Sequence, residues 1–140
     1  MKAHRIDHVH VEVADRDKAA AWYERVLGLE RHAALAVWAD DPMGPLILSA
    51  GDGEPALSLF ARGCARASRD ATIAFRFSGA DFREFIDALP ELGLRHDSGR
   101  VLTAADMQDH GLSWSFYFND PDGNRIEVTC YDKDSAATGC

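Results

Sequence analysis

Apolar and polar residues alternate over residues 6–13, a repeat of two that is typical of a β-strand with one buried face. The two faces of this strand carry Val9, Val11 and Val13 on one side and His8, His10 and Glu12 on the other. The repeat becomes helical over Asp17–Leu27, where Asp15 is suited to cap the helix start and Gly28 to end it. The pattern predicts a strand followed by a helix of about three turns.

Three more strands are predicted in the first half from short apolar runs that are bounded by turn residues. The runs are Leu29–Ala39, Leu46–Ala50 and Ala56–Ala61, and the turns between them are residues 40–44 and 51–53. Gly, Pro and Asp cluster in both turns, and these residues favour chain reversals over extended structure. The first half is therefore predicted to have the order βαβββ.

The second half repeats this order. It begins with an alternating strand at residues 71–77 and a helix over Asp81–Leu92, which Gly93 ends and Pro90 weakens in its last turn. The strands predicted after this helix are Leu94–Thr103, Trp114–Asn119 and Arg125–Tyr131, with a hairpin turn at Asp120–Asn124. When Val9 is aligned with Ile73, the two helix-ending glycines also align to within one residue. The sequence predicts an α+β fold of tandem βαβββ modules.

One domain made of two modules accounts for all 140 residues. Module one is expected over residues 6–61 and module two over residues 71–131. An arginine-rich linker is expected at residues 62–70, and a small, polar stretch at residues 132–140 is expected to be a loose tail.

The composition excludes several classes of partner. A net charge of −8 and a pI near 5.1 repel nucleic acid and anionic lipid. The apolar runs are far shorter than the ~20 residues of a membrane helix, so we expect a cytoplasmic protein without a targeting segment. Its three cysteines, Cys64, Cys130 and Cys140, lack metal-site spacing and are predicted to be free thiols, with Cys130 in the core.

The faces that the helices leave open are rich in reactive side chains. Imidazole, carboxylate and phenol groups are those used in metal binding and acid–base chemistry. The residues concerned are His8, His10, Glu12, Thr72, Arg76, Ser115, Tyr117 and Glu127. This grouping favours a functional cleft over an ordinary solvated surface.

Three segments together resemble the vicinal oxygen chelate superfamily, which includes glyoxalase I, the fosfomycin and bleomycin resistance proteins and the extradiol dioxygenases. They are Ile6-Asp7-His8-Val9, the Trp22–Leu29 segment and the Ser115–Val128 segment with its Asp-Pro-Asp-Gly-Asn turn. The resemblance extends over residues 6–131. It implies paired βαβββ modules whose curled sheets form a cleft around a divalent metal.

The resemblance also implies metal ligands, and here the sequence departs from the family. It places His8 and Glu127 at two ligand positions, but Thr72 occupies the position of the second histidine, and a threonine hydroxyl is a poor ligand for Fe(II). Ser58 is the repeat mate of Glu127, so the four-ligand site of glyoxalase I is incomplete as well. His10 shares the face of His8, although alternate strand residues lie ~7 Å apart, near the limit for one ion.

Three possibilities follow for the metal. It is held by His8 with His10, or by His8 and Glu127 with water or a residue of another chain, or the cleft works without a metal. The cofactor implied by the resemblance is Fe(II) or Mn(II), and the assembly it implies is a homodimer.

The segment around His110 and Tyr117 is similar to the extradiol dioxygenase pattern. The resemblance implies that His110 is the acid–base residue and that Tyr117 orients a small catechol-type substrate during ring cleavage. Residues expected to line the substrate cleft are His10, Thr72, Arg76 and Trp38, with Arg76 either neutralising a glutamate or binding an anionic substrate. Two alternatives are a metal-free small-molecule binding protein of the bleomycin-resistance type and a glyoxalase-like isomerase or lyase.

Overall fold

The computed structural model describes residues 1–63 and 71–137, and contacts divide the chain into two compact units, Met1–Ala67 and Ser68–Cys140. Within these described residues, each unit contains strands and a helix in the order βαβββ, which confirms the α+β fold class. Most of the linker predicted at residues 62–70, together with Cys64 and Cys140, lies outside the described residues. Within the described ranges, none of the helices has the length and apolar character that crossing a membrane requires.

Unit 1 is a four-stranded mixed sheet with one helix. Its elements are β1 (Val9–Glu12), α1 (Arg16–Leu27), β2 (Glu30–Arg31), β3 (Leu46–Ser49) and β4 (Pro55–Phe60). The strand order is β1-β4-β3-β2, with β1 parallel to β4. The Asp15 carboxylate caps α1 by accepting a hydrogen bond from the backbone N–H of Lys18, and Gly28 ends it with a φ of 67°. Both helix limits agree with the sequence prediction to within one residue.

The prediction of a strand over Leu29–Ala39 is wrong for most of its length. Only Glu30–Arg31 pairs in the sheet, and Ala33–Asp40 forms a 3₁₀-helix. Four of those eight residues are alanine, which has a low strand propensity and packs little surface against a neighbouring strand. None of the eight is buried, and Val37 and Trp38 are exposed despite their apolar side chains.

Unit 2 repeats the arrangement. Its elements are β5 (Thr72–Arg76), α2 (Gly79–Leu92), β6 (Gln108–Asp109), β7 (Trp114–Asn119) and β8 (Arg125–Cys130), in the sheet order β5-β8-β7-β6. The core lies between α2 and the sheet, where the ring of Phe85 packs 5.7 Å from Phe116 and 5.9 Å from Phe118. Cys130 belongs to this core as predicted, and its burial raises the pKa of the thiol.

Residues 94–103 form a turn with isolated bridges from Arg95 to Val101 and Asn119 instead of the predicted continuous strand. Gly99 has a φ of 84°, which reverses the chain so that the backbone N–H of Leu102 donates to the carbonyl of Leu94. Both leucines are buried, so they anchor the turn in the core of unit 2. The edge strand of the sheet is therefore supplied by Gln108–Asp109, further along the chain.

The end of the chain contains a short helix, α3 (Lys133–Ala137), where a loose tail was expected. Ala136 is buried, and the helix packs against the start of α2 at Gly79. A Cβ atom on Gly79 would lie 2.8 Å from the backbone nitrogen of Ala136, so the contact depends on the missing side chain. Residues 138–140 lie outside the described ranges.

Candidate functional site

The strand registers show which residues are equivalent in the two units. In unit 1, His10 on β1 lies opposite Ser58 on β4, and in unit 2 Ala74 on β5 lies opposite Glu127 on β8. Ser58 therefore has the place in unit 1 that Glu127 has in unit 2. By the same offset, Thr72 is equivalent to His8.

Tyr117 is the centre of a polar cluster on the open face of unit 2. Its hydroxyl lies 3.0 Å from Nε2 of His110, and Glu127 is its direct neighbour across the β7–β8 pair. With its proton on Nε2, the imidazole of His110 donates to the Tyr117 oxygen. The one proton of the phenol is then available to a ligand.

This environment keeps Tyr117 protonated. Burial of the hydroxyl raises its pKa, and the negative charge of Glu127 raises the pKa further. A phenol in this state is a hydrogen-bond donor at neutral pH rather than a base. His110 is exposed, so its imidazole is accessible to a molecule bound on this face.

The turn between β7 and β8 holds Tyr117 and Glu127 in register. Asp120 is buried, and its carboxylate accepts hydrogen bonds from the backbone N–H groups of Asp122 and Asn124 at 2.9 and 2.7 Å. It accepts a third from the side-chain amide of Asn124 at 2.8 Å. The Asp-Pro-Asp-Gly-Asn segment is thus a self-contained hairpin turn, as its sequence predicted.

A small open cavity of about 90 Å³ adjoins this polar cluster. The residues that line it are His96, Asp97, Gln108, Tyr117, Phe118, Asn119 and Arg125. The guanidinium of Arg125 lies 5.1 Å from the centre of the Tyr117 ring and forms no ion pair within the described part of the chain. It therefore supplies a positive charge beside the hydroxyl of Tyr117, where an anionic oxygen of a ligand would be stabilised.

The open face of unit 1 has its own polar cluster, formed by Asp7, His8 and His10. Nε2 of His8 lies 3.0 Å from Nε2 of His10, and Nδ1 of His8 lies 2.7 Å from a carboxylate oxygen of Asp7. The ring of His10 also contacts Phe60 at a centroid distance of 4.7 Å. Glu12, further along the same face, accepts a hydrogen bond from the backbone N–H of Arg62.

The remaining predicted cleft residues are accessible. Thr72 and Trp38 are exposed, the former on β5 and the latter in the 3₁₀-helix. The Arg76 guanidinium lies 4.6 Å from the centre of the Tyr131 ring and has no carboxylate partner among the described residues. Its role in holding an anionic substrate is untested and stays a prediction.

Sequence reasoning missed Asp7 and the lining residues His96, Asp97 and Asn119. The signal for Asp7 was its position directly before His8, since a carboxylate next to an imidazole often fixes the orientation of the ring. His96 and Asp97 gave no usable signal, because the segment was predicted as a strand rather than as a turn beside β7.

The family model of the Glyoxalase/Bleomycin resistance protein/Dioxygenase superfamily matches residues 5–128 of this chain. The chain belongs to this superfamily. Its members bind small-molecule substrates. The resemblance seen in the sequence motifs is therefore confirmed at the level of the superfamily.

Solved structures of the same fold extend over nearly the whole chain. Oxidase ChaP-H1 is 23% identical with a TM-score of 0.67, and the match covers 91% of this chain and 96% of the oxidase. The fosfomycin resistance protein FosX from Listeria monocytogenes is 15% identical with a TM-score of 0.66, covering 96% and 99%. A protein from the mobile metagenome of V. Pseudocholerae is 26% identical with a TM-score of 0.64, covering 94% and 97%. No curated protein matches the chain in sequence.

The residues present do not fit the three-ligand metal set that superfamily membership implies. No three His, Cys, Asp or Glu side chains among residues 1–63 and 71–137 are grouped so that they could hold an ion. Thr72 occupies one ligand position, and a threonine hydroxyl is a poor ligand for such an ion. The pairing of His8 with Glu127 in one metal site stays a prediction.

Proposed function

We propose that this chain is an enzyme that binds a small hydroxylated compound on the open face of unit 2 and exchanges a proton with it. The observation that carries the proposal is the contact between His110 and Tyr117, with Glu127 opposite Tyr117, beside a polar cavity lined by Arg125. An imidazole, a protonated phenol and a guanidinium close together are typical of a functional site and not of an ordinary solvated strand face.

Tyr117 orients the substrate in this proposal. Its raised pKa keeps the proton on the phenol, so Tyr117 can donate a hydrogen bond to a substrate oxygen. Glu127, which lies opposite Tyr117 in the sheet, raises the pKa further and so helps to keep the proton on the phenol. Arg125 stabilises negative charge on the same substrate oxygen.

His110 moves the proton. Imidazole is the side chain best suited to accept and return a proton near neutral pH. The substrate O–H bond breaks, a new N–H bond forms at Nδ1 of His110 while its Nε2–H stays hydrogen-bonded to Tyr117, and the substrate oxygen is left negative beside Arg125. The proton returns by the reverse path when product leaves. A cavity of about 90 Å³ suits the polar end of a small aromatic diol better than a large ligand.

Extradiol ring cleavage of a catechol-type compound is the specific reaction we propose for this face. The similarity to oxidase ChaP-H1 in fold supports oxidoreductase chemistry of this kind. Such cleavage uses a metal, and the residues of this chain do not fit the superfamily's three-ligand set for it. These residues therefore account only for the proton chemistry. Fe(II) or Mn(II) as the ion, a homodimer and a cytoplasmic location remain predictions.

A metal-free small-molecule binding protein is the second candidate. It is favoured by the lack of a three-ligand group within the described residues and by the polar lining of the unit 2 cavity. In that case Tyr117 and Arg125 recognise the ligand, and His110 is a hydrogen-bonding partner without a catalytic role.

The test uses 4-nitrocatechol, whose absorption spectrum reports its own ionisation, as a probe added to the purified chain. We expect wild-type protein to bind the ionised probe and Tyr117→Phe to weaken binding about 10-fold, because one charge-assisted hydrogen bond is lost. His110→Ala should bind the probe but shift it toward the neutral form. Tyr131→Phe and His4→Ala, at exposed positions outside this polar cluster, are the matched controls.

Turnover separates the two candidates. Catechol is then supplied in air to protein loaded anaerobically with Fe(II), and a yellow ring-cleavage product is followed by its absorbance. Binding without product, with or without the ion, supports the binding protein instead. If Tyr117→Phe and His110→Ala change neither the affinity nor the ionisation of 4-nitrocatechol, the proposed site is wrong.

A further inference from the structure

The imidazoles of His8 and His10 converge on one point in front of unit 1. Their Nε2 atoms are 3.0 Å apart, and the rings are nearly parallel, with an interplanar angle of 17° and centroids 5.0 Å apart. His10 lies on β1 and His8 lies just before it, and alternation along this extended segment places both side chains on the same face. The short separation shows that the side chains bend toward each other, closer than the backbone spacing predicted.

Asp7 determines which nitrogen of His8 carries the proton. A carboxylate oxygen of Asp7 lies 2.7 Å from Nδ1 of His8, and an ionised carboxylate only accepts, so Nδ1 is the donor. In the neutral ring, Nε2 then presents a lone pair toward His10. Metal-binding histidines commonly have this arrangement, in which a carboxylate holds the outer nitrogen and the inner nitrogen is the ligand.

The spacing of the two nitrogens fits a shared ion. Two imidazole nitrogens that each lie about 2.1 Å from one ion, at a right angle, are about 3.0 Å apart. The distance between Nε2 of His8 and Nε2 of His10 has this value. Both rings are on the exposed N-terminal part of the chain, so an ion can reach them and water can complete its coordination.

Next to this pair, Ser58 lies opposite His10 on β4. Its hydroxyl is buried and has no hydrogen-bond partner within the part of the chain that the structure describes. Buried hydroxyls are normally paired with protein or with ordered water. A polar group of this kind beside the imidazoles is expected where water or a hydrated ion is held.

We propose that His8 and His10 form a two-histidine site for a divalent transition metal, with Asp7 as the positioning residue for His8. This site lies entirely in unit 1 and uses none of the residues of the polar cluster in unit 2. It differs from the superfamily's three-ligand set because both imidazoles come from one short segment, residues 8–10. The inference therefore stands or falls separately from the proposed function.

The ligands indicate which ions bind. Two neutral imidazoles favour Cu²⁺, and then Ni²⁺ and Zn²⁺, over Mg²⁺ and Ca²⁺, which prefer oxygen ligands. Glu12 accepts from the backbone N–H of Arg62 and lies 3.8 Å from its guanidinium, so we do not assign it as a third ligand.

The test is titration of the full chain with Cu²⁺ and with Zn²⁺, followed by calorimetry, with EPR on the Cu²⁺ form. We expect one ion per chain and hyperfine splitting from two nitrogens, which falls to one nitrogen in His8→Ala or His10→Ala together with a loss of affinity of at least about 10-fold. Asp7→Ala should weaken binding by about 10–100-fold while both nitrogens remain.

His4→Ala and His32→Ala are the controls, since these two histidines belong to the same unit but not to the pair. Both should bind as wild type does. Urea unfolding of each variant confirms that it is folded. If the His8→Ala, His10→Ala double variant binds Cu²⁺ as tightly as wild type, or if neither ion binds wild type, the site does not exist and the pair is only an imidazole–imidazole hydrogen bond.

Discussion

Glu127 lies directly opposite Tyr117 on neighbouring antiparallel strands, and its carboxylate raises the pKa of the phenol. Burial is the largest reason that the pKa of Tyr117 is raised, and Glu127 adds to it. This pairing decides how the open face of unit 2 behaves, because it holds a proton on the phenol and makes the group a donor.

Replacing Glu127 should lower the pKa of Tyr117. In Glu127→Gln the negative charge is gone while burial is kept, so we expect the pKa to move down toward the ordinary value of about 10 without reaching it. Carbon-13 NMR of labelled tyrosines follows the titration, and Tyr117→Phe assigns the signal. Glu24→Gln, on the exposed side of α1, is the control. An unchanged Tyr117 pKa in Glu127→Gln would contradict this effect of Glu127.

The same pKa shift predicts how stability changes at high pH. The folded-state pKa of Tyr117 is raised, so its contribution to the free energy of unfolding is present below the unfolded value of about 10 and is lost as pH rises through the folded value. Between pH 8 and about pH 11, the free energy of unfolding measured in urea should therefore decrease less steeply for Tyr117→Phe than for wild type. Tyr131→Phe should keep the wild-type slope.

Asp106 should titrate well below its ordinary value near 3.8. Its carboxylate accepts hydrogen bonds from the guanidinium of Arg100 at 2.8 Å and from the backbone N–H of Thr103 at 2.8 Å, and these lower its pKa. The stability it contributes is present above the unfolded pKa and is lost only as pH falls through the depressed folded value. In Arg100→Ala, NMR titration should show the pKa of Asp106 rising, since Arg100 is the largest cause.

Asp120→Ala should lower the free energy of unfolding by about 1–3 kcal/mol, because the hydrogen-bond donors of the β7–β8 turn lose their buried acceptor. Asp120→Asn keeps one carbonyl oxygen and should cost less. Urea unfolding measures both. We also expect Asp120→Ala to weaken 4-nitrocatechol binding, as the turn keeps Tyr117 and Glu127 opposite each other. Equal stability of Asp120→Ala and wild type would exclude this role of the turn.

Gly79→Ala should destabilise the chain by about 1–3 kcal/mol, since the added Cβ would press on the backbone of α3. The Ala136 nitrogen and the Asp132 carbonyl, at 2.8 and 2.9 Å, cannot move aside as a flexible side chain could. Hydrogen exchange should show faster opening of Lys133–Ala137. Gly51→Ala is the control, because its Cβ would meet open space, and it should be neutral or slightly stabilising. Equal effects of the two substitutions would refute the close helix contact.

Local sequence patterns were sufficient for the parts of the fold that depend on local interactions. The limits of α1 follow from Asp15 and Gly28 and the end of α2 follows from Gly93, because these capping and left-handed conformations act within one helical turn. The start of α2 lies two residues before the predicted Asp81, where Ser78 caps it. Strand β7 and the Asp120–Asn124 turn follow from strict alternation and from hydrogen bonds inside five residues. Internal repetition then gave the βαβββ order of both units.

Edge strands were predicted poorly because their pairing depends on a neighbour that is distant in sequence. Residues 33–40 are mostly apolar and residues 94–103 are mostly polar, and neither segment forms the predicted strand. The strands at those edges of the sheets are Glu30–Arg31 and Gln108–Asp109. An edge strand is stabilised on one side only, so turn residues such as Gly99 and weak strand formers such as Ala33 decide the outcome.

The sequence by itself determined the fold class, the superfamily and the residue types on the open faces, because periodicity and motif spacing are properties of the sequence and do not depend on tertiary contacts. Only the tertiary structure decided that the hydroxyl of Tyr117 lies 3.0 Å from Nε2 of His110 and that the imidazoles of His8 and His10 meet at 3.0 Å. Side-chain rotamers set these distances, and a rotamer depends on every neighbour that packs around it.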